Sequence, residues 1–118
     1  MRRTFVEFAG VTRVLQSHQV PDDALLAMQI AILQGEGDLV QETAGLRKIR
    51  CAAPGRGKSG GLRVIFADYP EAGICLLVAA FAKNTKANLT KAQRNDLAGL
   101  KAKLDALGVF VYRWAIWF

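Results

Sequence analysis

Six basic side chains fall within 21 residues of this 118-residue chain: Arg47, Lys48, Arg50, Arg56, Lys58 and Arg63. Residues 46–66 contain no acid to offset them. These types suit an oxyanion. Arg presents paired N–H donors to a phosphate, and Lys presents a compact charge that can also carry a proton. Lys48 and Arg50 stand two apart in a strand-like segment, which puts them on one face, while Arg47 goes to the other face with Ile49 and Cys51. Arg63 opens the next strand-like segment. Between the two lies PGRGKSGG, residues 54–61, a hairpin loop with four glycines that carries Arg56 and Lys58. Its glycines let exposed N–H groups approach a phosphate closely. Lys83, Asn84 and Lys86 follow a third apolar segment. A hairpin would set Lys48, Arg50 and Arg63 on adjacent strands, where they can converge on one concave surface. The alternative is a solvated basic face.

The charge distribution favours a localised site. The chain carries 16 Lys plus Arg against 10 Asp plus Glu, a net of +6. Residues 1–45 hold three Arg against six acids, and residues 67–118 hold seven basic groups against four acids. The whole excess therefore equals that of residues 46–66 alone, which excludes an evenly basic coat. The acids of residues 1–45 are read as a scaffold that leaves the basic surface unneutralised.

Other chemistries lack their parts. The single His18, among Gln16, Ser17 and Gln19, reads as a solvated residue near a helix end. One His makes a Ser-His-Asp, Cys-His or double-histidine arrangement very hard to build. Cys51 and Cys75 have no His cluster beside them and read as buried reduced thiols rather than a zinc site. No metal and no cofactor are expected. The run Gly57-Lys58-Ser59 is not a P-loop, because the glycine that spacing requires at position 52 is Ala52. MRRTFVEF has no apolar core of a signal peptide, and no apolar run approaches the ~20 residues of a membrane span, so a cytoplasmic protein is expected.

The elements that must position these residues read as follows. Residues 4–8 form a short strand and 11–16 a short helix. Pro21, Asp22 and Asp23 start a second helix that runs to about residue 34, with the two acids at the positive end of its dipole. Gly35-Glu36-Gly37-Asp38 stops it, and a loop runs on to Gly45. Residues 46–53, 62–69 and 74–81 read as strands of an antiparallel meander, with a turn at 70–73. The last of them, ICLLVAAF, is apolar throughout, as a central strand covered on both faces would be. Thr90 and Gln93 fit a capping box, which opens a helix over 91–107 with Gly108 as its stop. The tail 109–118 (VFVYRWAIWF) holds both Trp, and its only charge is Arg113. It reads as an added strand or a tail packed on the domain or a partner, against the alternatives of a membrane-surface anchor and an accidental extension.

Four separated pieces occur in order: GLRKIR at 45–50, GRGK-x-GG-x-RVI at 55–65, an apolar strand ending Ala82-Lys83-Asn84, and the helix start Leu89-Thr90. Together they resemble the RelE/HigB toxins of bacterial type II toxin–antitoxin systems, in the RelE/ParE superfamily, nearest the HigB-like branch. Residues 44–93 carry the match, and weaker similarity extends back to Arg3. The tail after Gly108 has no counterpart.

The resemblance implies an α+β fold over a single domain, residues 1–108. A twisted, mainly antiparallel sheet would have the N-terminal helices packed on one face, with a C-terminal helix besides. It implies an endoribonuclease, or mRNA interferase, that enters the ribosomal A site, cuts translated mRNA and inhibits translation. It also implies an antitoxin partner, often bearing a helix-turn-helix domain through which operator DNA is bound. Lys48 and Arg50 match the family's basic pair, Arg63 its Arg after the loop, and Lys83 with Asn84 its Lys-Asn. Asn84 stands where RelE has Arg, Thr90 where RelE has a catalytic Tyr, and Ser59 where HigB-like chains often have a basic residue. Thr90 is read as a helix cap.

Metal-free cleavage needs a base for the 2′-hydroxyl, charge stabilisation at the phosphorane and an acid for the leaving oxygen. A Lys among several Arg feels like-charge repulsion that favours its neutral form. Lys48 or Lys83 is the candidate base, with Arg50 and Arg63 at the phosphorane. Arg47, Arg56, Lys58 and Lys86 would bind RNA phosphate. The alternatives are a ParE-like gyrase inhibitor and a degenerate domain that binds RNA or antitoxin without cutting.

Overall fold

A computed structural model describes residues 2–54, 61–82 and 89–117, with side chains as far as Leu107. In chain order it contains strand β1 (Thr4–Glu7), helices α1 (Ala9–Ser17) and α2 (Asp22–Leu33), strands β2 (Asp38–Leu39), β3 (Arg47–Cys51), β4 (Leu62–Tyr69) and β5 (Ile74–Ala82), and helix α3 (Lys91–Trp117). A short 3-10 turn, Pro70–Ala72, joins β4 to β5.

The five strands form one sheet in the order β1-β5-β4-β3-β2. The meander β3-β4-β5 is antiparallel as expected, β2 adds an antiparallel edge, and β1 runs parallel to β5. The result is an α+β fold with a mostly antiparallel sheet. Pairing with β1 on one side and β4 on the other makes β5 an interior strand, next to the edge strand β1, while β4 is the central one.

Alternation along the strands divides the apolar residues between two faces. Cys51, Leu62, Val64, Phe66, Cys75 and Leu77 meet Val11 and Leu15 of α1 and Met28 and Ile32 of α2. Leu46, Ile65, Ala67, Ile74 and Leu76 meet Leu104 of α3, with Leu97 and Leu100 packed beside them. Both cysteines are buried and free. Burial, helped by the nearby Asp68 carboxylate, pushes the Cys75 thiol up to about 12, so it packs as an apolar group.

One irregularity in β5 decides what the open end of the sheet displays. Phe66 pairs with Leu77, whereas the preceding Ile65 pairs with Ala79, so Val78 is an extra residue. Before it, Cys75 and Leu77 face the N-terminal helices; after it, Ala80 and Ala82 do. The bulge thereby turns Phe81 to the opposite face, directly across from Arg63.

Two pairs of charges hold the periphery. Arg3 Nε donates to Asp68 Oδ1 at 2.9 Å and Arg3 Nη2 to Oδ2 at 3.3 Å, tying the chain before β1 to β4. Midway along α3, Lys101 Nζ and Tyr69 Oη both donate to Asp105 Oδ1, at 2.6 and 2.8 Å. The Lys101 ammonium and the Tyr69 hydroxyl hold the Asp105 carboxyl below its ordinary range, in that order and against some desolvation.

Two expectations need correction. The segment after Gly37 is not loop alone, since Asp38 and Leu39 pair with Lys48 and Arg47 as β2. Helix α3 does not stop at Gly108 but continues to Trp117, so the tail is not an added strand. A glycine inside a helix costs only about 1 kcal/mol against alanine, too little to end it without a turn that draws the chain away.

Candidate functional site

On the sheet face not covered by α1 and α2, α3 packs over β4, β5 and the adjoining Leu46, while Lys48 and Arg50 of β3 stay exposed. Two cross-strand rows stand there. Lys48 lies opposite Asp38 on one side and Ile65 on the other. Arg50 lies opposite Arg63, and Arg63 opposite Phe81. Neighbours within a row have Cβ atoms about 4.5–5.5 Å apart, and successive rows on one face are about 7 Å apart. The strand period thus brings Lys48, Arg50 and Arg63 onto one face, as the sequence spacing required.

A cavity of about 720 Å³ opens over these rows, its described lining including Asp38, Lys48, Arg63, Phe81 and Arg94. Ile65, Val40 and Leu89 supply an apolar wall. A second hollow of about 600 Å³ lies on the α2 side and shares Asp38 and Lys48, adding Arg50 and Gly37. Asp38 and Lys48 therefore form a ridge between two grooves.

The cations in the larger cavity are held in an unbalanced state. Arg63 Nη1 is buried with no hydrogen-bond partner among the described residues. Arg94 Nη1 donates to the Leu89 carbonyl at 2.7 Å, which fixes the guanidinium at the rim. Its Nε, also buried, makes no hydrogen bond and lies 3.8 Å from Glu42 Oε1, a loose ion pair. Buried donors without acceptors are costly, and an oxyanion entering the cavity would satisfy them.

The capping box that starts α3 is present. Gln93 N donates to Thr90 Oγ1 at 3.1 Å and Thr90 N to Gln93 Oε1 at 2.9 Å. Thr90 is thus the cap it was read as, and the box sets the first turn that carries Arg94. On the loop side, Glu42 and Ala44 have φ of 63° and 61°. That strained turn returns the chain from β2 to β3 beside the cavity.

The remaining site expectations divide as follows. Arg47 lies on the other face, where its Nη1 donates to the Gly37 carbonyl at 2.7 Å and braces the entry to β2. Arg56, Lys58, Lys83, Asn84 and Lys86 lie outside the described residues. His18 caps α1, its Nδ1 3.0 Å from the Val14 carbonyl oxygen. The acids of residues 1–45 are not all remote scaffold, since Asp38 lines the cavity and Glu42 approaches Arg94.

Arg94, Phe81 and Asp38 went unanticipated. Arg94 left one signal: a cation in the first turn of a helix opposes the dipole, and such a placement invites a reason. Asp38 was hidden in a helix-stop cluster, and Phe81 changed face only through the bulge.

The fold and this cavity define a small α+β protein with a cationic cleft at the open end of its sheet. A family model described as RelE toxin of the RelE / RelB toxin-antitoxin system matches residues 3–108. The chain belongs to this toxin family, and membership implies an antitoxin partner. Among the described residues no helix is long and apolar enough to cross a membrane.

Proposed function

We propose that this toxin is a ribosome-dependent endoribonuclease that cuts mRNA during translation, with no metal in the step. One observation supports the reading above the rest: Lys48, Arg50 and Arg63 share one face beside a cavity, and Arg63 presents a buried guanidinium N–H with no acceptor. A phosphorane offers the acceptor that this donor lacks, and a preorganised donor is worth most where negative charge develops. The apolar wall of Ile65, Phe81 and Leu89 beside the cations suits a base next to its phosphate. In the cleavage step Arg50 and Arg63 stabilise the phosphorane, and Lys48 or Lys83 carries a proton. The 2′-hydroxyl nucleophile restricts the reaction to RNA. A site without histidine is a slow catalyst on free RNA. The ribosome supplies the missing factor by fixing the mRNA in line, since orientation is worth several kcal/mol.

The antitoxin, proposed to bear a helix-turn-helix domain, would carry any operator-DNA contact, and the toxin would act in the cytoplasm. The test is induced expression with and without the neighbouring gene's product, followed by mapping of mRNA ends. Discrete cuts in translated mRNA that vanish in Arg63→Ala, with the fold intact, are the expected result. Uncut mRNA with gyrase-trapped DNA breaks would replace this reading with a ParE-like one. Cleavage and toxicity retained in Arg63→Ala would remove Arg63 from the site.

A further inference from the structure

We infer that Asp38 is a catalytic residue of the cleft, the carboxylate that takes the proton from the 2′-hydroxyl, with Lys48 as its acid partner. The inference rests on the endoribonuclease reading and completes its proton inventory. That reading gives the base to a lysine, which must first shed its own proton, whereas an aspartate carboxylate offers a lone pair directly. Asp38 is the one carboxylate among the described residues that line the larger cavity. It is exposed, and none of the ion pairs among the described residues uses it. A carboxylate with no ion-pair partner among the described residues lowers the affinity of a phosphate-attracting surface for RNA, so its place beside Lys48, Arg63 and Arg94 points to a chemical role.

The placement fits that role. The β2–β3 register sets Asp38 opposite Lys48, so both side chains leave the same face of the sheet. Both also line the second hollow, which makes them the ridge between two grooves. An RNA strand running from one groove to the other crosses that ridge with one phosphodiester, and its ribose 2′-oxygen meets the carboxylate. The position is braced from both sides. Arg47 ties the preceding Gly37 carbonyl at 2.7 Å. Gly37, at φ 123°, lies so close to Phe66 that an added Cβ would stand 2.8 Å from the ring's Cζ.

The step balances. Asp38 accepts the 2′-hydroxyl proton as the 2′-oxygen forms its bond to phosphorus. The bond from phosphorus to the 5′-oxygen breaks, and the Lys48 ammonium gives that oxygen a proton. The products are a 2′,3′-cyclic phosphate and a 5′-hydroxyl end. Asp38 then loses its proton to water and Lys48 regains one, so no further reactant is needed.

The test uses the full chain on programmed ribosomes, as wild type, Asp38→Asn and Asp38→Glu, with single-turnover cleavage followed by primer extension. Binding is read separately with the same mRNA carrying a 2′-O-methyl group at the mapped cut position. Asp38→Asn is expected to slow cleavage by roughly 100-fold or more, the span of one general base. Binding of the methylated mRNA should stay within about threefold. Asp38→Glu should restore part of the rate. Cleavage by Asp38→Asn within about threefold of wild type overturns the inference and leaves the endoribonuclease reading standing. A loss of rate matched by an equal loss of binding also overturns it and makes Asp38 a positioning residue. A wild-type protein that cuts no translated mRNA overturns both.

Discussion

Replacing Arg63 with leucine should make the protein more stable while removing its anion site. The reasoning starts from two features of β4. Arg63 stands directly opposite Arg50, and like charges facing each other across an antiparallel pair are unfavourable by roughly 0.2–1 kcal/mol. Its Nη1 is buried without an acceptor, and an unsatisfied buried donor costs about 1–3 kcal/mol. Leucine removes both penalties and keeps most of the aliphatic stem against Ile65 and Phe81, which flank it in the cavity wall. Against this stands the contact of the guanidinium that leucine lacks, taken as about one methylene or 0.8 kcal/mol. The balance is a gain of about 1 kcal/mol. For a chain of 118 residues that corresponds to a rise in Tm of about 4 °C. The measurements are thermal and urea unfolding by circular dichroism, with mRNA cleavage assayed in parallel. A more stable and inactive Arg63→Leu protein supports the argument. A Tm lowered by 4 °C or more would show that the guanidinium holds the fold together, and the case for a strained anion receptor would fail.

Other consequences can be checked in the same way. Gly61→Ala should destabilise by about 3 kcal/mol, because φ is +90° and the new Cβ would lie 2.7 Å from the Cys51 carbonyl oxygen. Gly99→Ala, in α3 with open space around it, should instead stabilise by about 0.5–1 kcal/mol in the same urea titration. Arg3→Ala should cost about 3–5 kcal/mol by leaving the half-buried Asp68 unpaired, while Arg3→Met with Asp68→Leu should recover most of it in thermal melts. Lys101 and Tyr69 lower the Asp105 carboxyl in the folded state, so their contribution is complete above the ordinary aspartate range and is lost as pH falls through the lowered value. Melts from pH 6 down to 2 should therefore show an acid-side loss of Tm that is smaller in Asp105→Asn. On the RNA reading, Arg94→Ala should reduce the slope of log affinity against log salt by about 0.7, one phosphate contact on a single strand.

The fold was legible where one period dominated. Strand β4 was bounded at Leu62 and Tyr69 because a glycine loop precedes it and Pro70 follows it. The two-apart spacing of Lys48 and Arg50 gave their shared face, and register alone added Arg63. What escaped depended on contacts distant in sequence. Strand β2 is two exposed residues, with no alternation to read, and it exists because β3 offers an edge. The bulge at Val78 lies in an apolar run whose residues suit either face, so nothing local tells which side Phe81 will take. Arg94 looked like one more polar residue on a helix, and only the docking of α3 brings it to the cleft. The basic half of the site came from β3 and β4, local enough to be read, while the groups that finish it came from β2, β5 and α3.

That division bears on how charge is used in this molecule. From residue 14 to residue 46 the chain contains no Lys or Arg, and its five acids are Asp22, Asp23, Glu36, Asp38 and Glu42. Two of the five return to the cavity, one unpaired on its ridge and one loosely against Arg94. If the acids served only to offset the cations, the stable arrangement would be close ion pairs, like the 2.9 Å contact that Arg3 makes with Asp68. The cleft instead leaves Arg63 Nη1 and Arg94 Nε without acceptors and holds Glu42 at 3.8 Å. A fold able to close one ion pair tightly has left those of its cleft open. Opposed charges held apart on adjacent strands are what a site needs to bind a phosphate with one set and move a proton with the other.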